Sequence, residues 1–392
     1  MYKILTLNAI SEAGLSKLPA DKFVISDKEE NPDGIILRSF DMHNMDIPET
    51  VMGIARAGAG TNNIPVDKCA EKGIVVFNTP GANANAVKEL VLTGIFVSAR
   101  NVIQGVEWAK SLKGKEDVPK LVEKGKSQFV GPEIKGKKLG VIGLGAIGVL
   151  VANAARNLGM EVIGYDPYLS VDAAWSLSSS VIKADSMEAV VRESDYITIH
   201  VPLNASTKGM FNDKLFEETK DGARLLNFAR GGLVDIPALK RAIESGKIVN
   251  YVTDFPSEDL YDIENVILIP HLGASTPESE ENCAEMASVE IREFLKYGNI
   301  KNSVNYPECI LPYTGKCRIS IAHKNIPNML GAIATAVAKQ NLNIDNMINK
   351  SKGDWAYSLV DIDDLCGKQD SIINSLEEIE GVVRARIVCC NC

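Results

Sequence analysis

At 392 residues the chain is longer than one hydrophobic core ordinarily organises, so two or three domains are expected. It is 45% apolar and 24% charged, a globular composition, and a net charge of −9 with no basic domain argues against a nucleic-acid partner. The apolar stretch 90–106 is broken by Thr93, Ser98, Arg100, Asn101 and Gln104, too often for a membrane span, and residues 1–5 run into a strand rather than a signal peptide. A cytoplasmic protein with no membrane partner and reduced cysteines is therefore expected. The tail Cys389, Cys390 and Cys392 is too frayed to make a metal site, and no metal is expected.

Up to about residue 90, short apolar runs alternate with helical segments. Strands are expected at 3–7, 23–25, 34–39, 53–57 and 74–78, forming a parallel sheet. Ligands of such sheets sit beyond the carboxyl ends of the strands. Arg38 and Ser39 lie there, as do Arg56, Gly58 and Ala59. Two arginines at equivalent ends, beside glycines, suggest an anion site of guanidinium and backbone N–H groups. Residues 84–112 have helical spacing, and the Lys/Gly-rich 113–138 reads as an exposed loop.

The stretch 137–166 is the most informative. Residues 138–142 read as a strand, Gly143-Leu144-Gly145-Ala146-Ile147-Gly148 as the turn into a helix, and 160–165 as the next strand. Gly143 permits the tight turn, Gly145 leaves room for a pyrophosphate, and Gly148 lets helix and strand pack closely. The helix N-terminus offers free N–H groups to phosphate. Asp166, eighteen residues after Gly148, suits a ribose diol and repels a 2′-phosphate, which favours NAD over NADP.

Further strands are expected at 196–201, 224–228, 249–253 and 266–269, giving six in this doubly wound sheet. Residues 274–297 read as one long helix, opened by Ser275-Thr276-Pro277-Glu278. After a linker, the last 75 or so residues give the order βαββαβ, a ferredoxin-like unit.

Three polar residues follow the later strands: Arg230, Glu258 and His271. Oxidising a secondary alcohol requires a base for the hydroxyl proton, and imidazole has the right range. A carboxylate would orient the ring, and a guanidinium would bind a substrate carboxylate through paired N–H bonds. The set suits oxidation of a 2-hydroxy acid.

With these residues, the chain resembles the D-isomer-specific 2-hydroxyacid dehydrogenases, and within them the phosphoglycerate dehydrogenases that carry a C-terminal ACT domain. The matching stretches are 58–61, 78–82, 139–148, 200–203, 227–232, 255–258 and 270–276. The resemblance implies an α/β fold of two doubly wound parallel-sheet domains. A substrate-binding, flavodoxin-like domain would span 1–93 and 275–308, an NAD-binding Rossmann domain 94–274, and the ACT domain 316–392. It implies His271 as acid/base, Glu258 as its partner and Arg230 on the substrate carboxylate and carbonyl. Arg38, Ser39, Arg56, Gly58, Ala59 and Asn83 would bind substrate. His200, Val201, Pro202, Thr207, Pro167, Phe228, Ala229, Gly273 and Ala274 would join the glycine turn and Asp166 around NAD. The family places an Asp two residues before the Phe of its Asp-x-Phe-x-x-Glu run, to contact the nicotinamide carboxamide. Here that place is Thr253, and Asp254 follows. The implied substrate is 3-phosphoglycerate, with L-serine as effector at His323, Asn325 and Asn343 and a homodimer or homotetramer as the assembly. A reductase of hydroxypyruvate, glyoxylate or 2-oxoglutarate is the alternative activity, and a non-enzymatic NAD-sensing protein the alternative class.

Overall fold

The computed structural model describes residues 1–363, 365 and 367–389. The chain forms two compact units, Met1–Asn83 with Pro277–Cys392, and Ala84–Thr276. In the first unit, strands β1 (Tyr2–Leu7), β2 (Phe23–Ser26), β3 (Gly34–Leu37), β4 (Gly53–Arg56) and β5 (Val75–Phe77) make a parallel sheet in the order β2-β1-β3-β4-β5. Their short apolar runs are buried on both faces, as helices on either side of a parallel sheet require. The helix Pro277–Tyr297 lays Ala287, Ile291 and Phe294 into the core formed with Ile4, Ile36, Ala55 and Phe77.

The second unit holds β6 (Lys138–Ile142), β7 (Glu161–Tyr165), β8 (Ile182–Lys183), β9 (Tyr196–Ile199), β10 (Ala223–Asn227), β11 (Ile248–Thr253) and β12 (Val266–Leu268). They form one parallel sheet in the order β12-β11-β10-β9-β6-β7-β8. The order reverses between β6 and β9, and all carboxyl ends face one edge, where such sheets bind ligands. The sheet has seven strands rather than the six expected. The extra one, β8, is two exposed residues long and carries no readable pattern. Two other expectations change. The helical stretch 84–112 is two helices, Ala84–Arg100 and Val102–Ser111, broken where Asn101 adopts φ 48°. The supposed loop 113–138 contains the helix Val118–Gly125 and a tight turn Lys126–Phe129. Its apolar residues Val118, Leu121 and Val122 span one turn only, too little for a period to register.

The C-terminal part of the first unit is a sheet of β13 (Cys317–Lys324), β14 (Ile344–Lys352), β15 (Trp355–Ile362) and β16 (Val382–Cys389), in the order β14-β15-β13-β16. All its pairings are antiparallel, and helices Met329–Lys339 and Gln369–Glu377 complete βαββαβ, as expected of an ACT domain. Residues Ile319, Ile321, Val360 and Ile362 face these helices. Ala322, Tyr357 and Leu359 point the other way and join the core of the parallel sheet. The contact is polar as well. The end of the helix Pro277–Tyr297 leaves carbonyls without intrahelical partners. Arg386 donates to Leu295 O (3.3 Å), Arg318 to Tyr297 O (3.1 Å) and the Tyr357 hydroxyl to Gly298 O (2.9 Å), while Arg386 also reaches Phe294 O (2.5 Å), which Gly298 N shares at 2.9 Å.

Cys69, Cys283 and Cys309 are free thiols, and burial pushes Cys69 up to about 11. Cys317 is disulfide-bonded, contrary to the expectation of reduced cysteines. Such a bond depends on two sulfurs being folded together, which spacing along the chain does not reveal. Cys366, Cys390 and Cys392 lie outside the described residues, so the tail is not described as a group. Among the described residues no helix is long and apolar enough to cross a membrane, and no group of three His, Cys, Asp or Glu could hold a metal ion.

Two stability predictions follow from buried acids. Arg318 and Asp361 are both fully buried and joined by bonds of 2.6 and 2.8 Å. Asp361→Ala would leave the guanidinium without its counter-charge, at a cost of about 3–5 kcal/mol. The denaturant midpoint should fall accordingly, and an unchanged midpoint would contradict the account. Glu290 is 5% exposed; one carboxyl oxygen accepts from Asn302 (2.6 Å) and the other has no partner. Burial pushes its pKa from 4.5 up to about 8. The folded-state value lies above the unfolded one, so stability should fall as pH rises through 4.5 to 8. Glu290→Gln should abolish that fall, on the order of 5 kcal/mol at most. Thermal midpoints at pH 5 and pH 9 measure it.

Candidate active site

The turn after β6 has the backbone that the glycine pattern predicts. Gly143 has φ 92°, and a Cβ on it would lie 2.6 Å from His200 O. A Cβ on Gly148 would lie 1.9 Å from Gly143 O, whereas one on Gly145 would meet nothing within 4 Å. The first position needs glycine for its conformation, Gly148 needs it for helix–strand contact, and Gly145 stands open to an approaching ligand. The helix Ala146–Asn157, with Ala146 and Ile147 in its first turn, has no side-chain cap. Its leading N–H groups and dipole are available to a phosphate.

Asp166 is held from both sides: Oδ2 accepts from Leu144 N and Oδ1 from Tyr168 N, each at 2.8 Å. Each oxygen retains capacity for a hydroxyl donor. Asp166 and Pro167 line a cavity of about 510 Å³ with Leu144, Leu169, Ile182 and Lys183. An apolar wall with a fixed acid at its rim suits an adenosine.

His200 begins the loop after β9. Its Nε2 lies 2.9 Å from Thr198 Oγ1, and its buried Nδ1 has no partner. Part of the residue reaches the surface, but the ring nitrogens are enclosed, and burial pushes the pKa down to about 3. The ring is therefore neutral at ordinary pH. Val201 lies close beside Gly143, and the Thr207 hydroxyl donates to Pro202 O (2.7 Å), closing the loop.

At the end of β10, Asn227 organises the turn. It is fully buried, donates to Arg230 O (2.9 Å) and accepts from Ala229 N (3.2 Å). Phe228 is thereby buried and Arg230 exposed. Asn227 was overlooked as a site residue, although an Asn closing a strand is a recognisable turn-former. Arg230 Nη1 donates to Ala229 O (2.7 Å), and among the described residues no carboxylate is paired with it.

β11 ends at Thr253, whose hydroxyl accepts from Phe255 N (3.2 Å). Asp254 is 1% exposed; Oδ2 accepts from Gly273 N (3.3 Å) and Oδ1 has no partner. Burial raises its pKa, while the charges of His271 and Arg230 oppose the rise. The His271 ring packs on Phe255, centroids 4.7 Å apart. Asp254, His271 and Arg230 are thus brought to one locality at the ends of β10, β11 and β12, with Gly273 and Ala274 just beyond. Glu258 opens an exposed turn, Glu258–Leu260, and makes no hydrogen bond to His271.

In the first unit, the loops after β3, β4 and β5 are tied together. Asn8 Oδ1 accepts from Ser39 N (3.0 Å) and Phe40 N (2.7 Å). Asn63 donates to Arg38 O (3.2 Å) and accepts from Arg56 Nε (3.1 Å). Asn78 donates to Ala59 O (2.6 Å). A Cβ on Gly58 would lie 2.3 Å from Arg56 Nη1, so the glycine leaves room for that guanidinium. Asn83 is the last residue before the second unit. Asn8 and Asn63 carry no local signature of these roles, since Ser39, Phe40 and Arg38 lie 25 to 32 residues from them.

In the C-terminal sheet, His323 is 2% exposed, with Nδ1 at 2.8 Å from Lys324 O and Nε2 at 3.1 Å from Asn349 and Ser358. Asn325 donates to Gly353 O (3.0 Å) and Asn343 to Asp363 (3.1 Å). β15 pairs with His323 through Ala356 but with Ile344 through Ile362, six residues on. That is about 20 Å at ordinary strand rise, so one chain does not gather the three residues.

Residues 92–273 match the family model of the D-isomer specific 2-hydroxyacid dehydrogenase NAD binding domain. A D-3-phosphoglycerate dehydrogenase of Haemophilus influenzae is 33% identical over 348 residues, covering 84% of this chain and 79% of that one. The chain belongs to the D-isomer-specific 2-hydroxyacid dehydrogenase family. The Homo sapiens D-3-phosphoglycerate dehydrogenase is 36% identical over 282 residues, 70% of this chain and 50% of that protein. The chain thus spans about half the length of that relative. A crystal structure of NAD+-bound 3-phosphoglycerate dehydrogenase from Entamoeba histolytica superposes with a TM-score of 0.59 at 26% identity, covering 78% of this chain and 98% of that one. The second unit therefore carries the family's NAD-binding domain, and its open Gly145, free helix end and unpartnered Asp254 oxygen fit that cofactor.

Asp166→Ala should raise the KM for NADH about tenfold or more, the scale of a lost charged hydrogen bond, and lower that for NADPH. Steady-state titration with both cofactors is the measurement. An unchanged preference would remove Asp166 from the ribose site.

Proposed function

We propose that this dehydrogenase oxidises 3-phospho-D-glycerate to 3-phosphohydroxypyruvate with NAD, the entry to serine synthesis. The observation that carries the reading is the grouping of Asp254, His271 and Arg230 at the carboxyl ends of β10, β11 and β12. NAD, when bound, supplies the two-electron acceptor. His271 takes the hydroxyl proton as the C2–H electron pair leaves, and Arg230 holds the carboxylate and polarises the C2 oxygen. The unpartnered oxygen of Asp254 would accept from the nicotinamide carboxamide of the bound cofactor. Glu258 serves as a partner of His271 once the loop tightens around substrate; catalytic hydrogen bonds are often long before binding. Arg38 and Arg56 take the phosphate, with Ser39, Gly58, Ala59 and Asn83 around them. The relatives at 33% and 36% identity, both phosphoglycerate dehydrogenases by name, support this substrate.

L-Serine would act at a seam between ACT domains of a homodimer or homotetramer, where His323 and Asn325 of one copy approach Asn343 of another. The separation of these residues within one chain favours a shared site. Its effect on turnover would be a coupling between distant sites.

A panel of 2-oxo acids assayed with NADH, with and without L-serine, tests the proposal. 3-Phosphohydroxypyruvate should show the highest kcat/KM, and serine should lower its turnover. His271→Ala should reduce kcat by about 10²–10⁴. A higher kcat/KM for glyoxylate would overturn the substrate assignment, and near-normal turnover by the variant would overturn the base.

A further inference from the structure

Arg38 is already engaged. Its Nη1 donates to Glu280 Oε1 at 2.6 Å, with the arginine side chain 31% and the glutamate 50% exposed. Glu280 lies in the first turn of the helix Pro277–Tyr297, three residues past the point where the chain re-enters the first unit. An acid there is favoured by the helix dipole in any case, so Glu280 does not need Arg38 for its own stability. The backbone carrying Arg38 is pinned: Asn63 holds its carbonyl, and Asn8 holds the next two N–H groups. Only the long side chain is free to exchange partners.

We propose that Glu280 is an internal competitor for the substrate's distal anion: its carboxylate occupies Arg38 in the free protein, and that anion binds by displacing it. This rests on the reading of Arg38 as the contact for that anion. A half-exposed ion pair contributes little, so its loss is a small barrier. A phosphate monoester carries close to two charges and three acceptor oxygens, and engages a guanidinium through paired N–H bonds. It therefore wins the exchange. A 2-oxo acid with a single carboxylate, such as glyoxylate, offers Arg38 nothing and leaves the pair in place. The pair thus weakens binding of acids that carry a distal anion by the free energy of the pair and leaves acids without one unaffected.

The test is a double-mutant cycle on Glu280→Gln and Arg38→Ala, with KM measured for 3-phosphohydroxypyruvate and for glyoxylate under saturating NADH. Glu280→Gln should lower the KM for the phosphorylated acid about two- to fivefold, the range of an exposed ion pair. That change should exceed any change for glyoxylate, and it should appear in KM rather than kcat. It should vanish in the Arg38→Ala background, which a general effect of removing a negative charge would not do. An unchanged or raised KM, an equal fall for glyoxylate, or a fall that persists without Arg38 would each overturn the role of Glu280. If Arg38→Ala by itself leaves the KM for the phosphorylated acid unchanged, the anion assignment of Arg38 fails, and this proposal with it. If Arg38→Ala raises that KM while Glu280→Gln does not lower it, only the competing role of Glu280 fails.

Discussion

The carbonyl oxygen of Gly143 sits where a side chain on Gly148 would begin, with 1.9 Å between them. This contact fixes how closely the helix Ala146–Asn157 starts against β6, and so where its free N–H groups point. Because every strand of the sheet is parallel, the carboxyl ends of β9 to β12 open on the same edge as that turn. Asp166, the loop from His200 to Thr207, the Asn227 turn and Asp254 with His271 are all consequences of that edge. A larger residue at Gly148 would push the helix away and lose the phosphate cradle before any catalytic side chain was touched.

Much of this was legible because the signals are local. A glycine triplet between a strand and a helix, an acid at the end of the next strand, and polar residues after later strands each need only a few neighbours to be recognised. The parallel sheets were legible because their strands are short, apolar and punctuated by turns. What stayed hidden depends on partners distant in sequence. Asn63 bridges Arg38 and Arg56 across two loops, and Glu280 reaches Arg38 from more than 240 positions away. Short elements were missed for another reason: β8 and the helix Val118–Gly125 are too brief for a period to show. The shifted acid is the most instructive case. Thr253 holds the family's position and is buried, yet Asp254 is the residue whose carboxylate lies by Gly273 and is felt by His271.

The C-terminal sheet is not an appendage joined only by a linker. Its face contributes Ala322, Tyr357 and Leu359 to the core of the parallel sheet, and Arg318, Tyr357 and Arg386 cap the carbonyls ending the helix Pro277–Tyr297. The other end of that helix starts at the boundary between the two units, six residues after His271, and carries Glu280 in its first turn. One helix thus joins the C-terminal sheet to the Arg38 side chain.

The central claim is that the group at the ends of β10, β11 and β12 removes a proton from a 2-hydroxy acid while its C2 hydrogen passes to NAD as hydride. Isotope transfer tests it most directly. With 3-phospho-D-glycerate deuterated at C2, the account predicts reduced nicotinamide carrying one deuterium at C4, read by NMR, and loss of that product in His271→Ala. Reduced cofactor without deuterium, or no reduced cofactor from the intact protein, would contradict it.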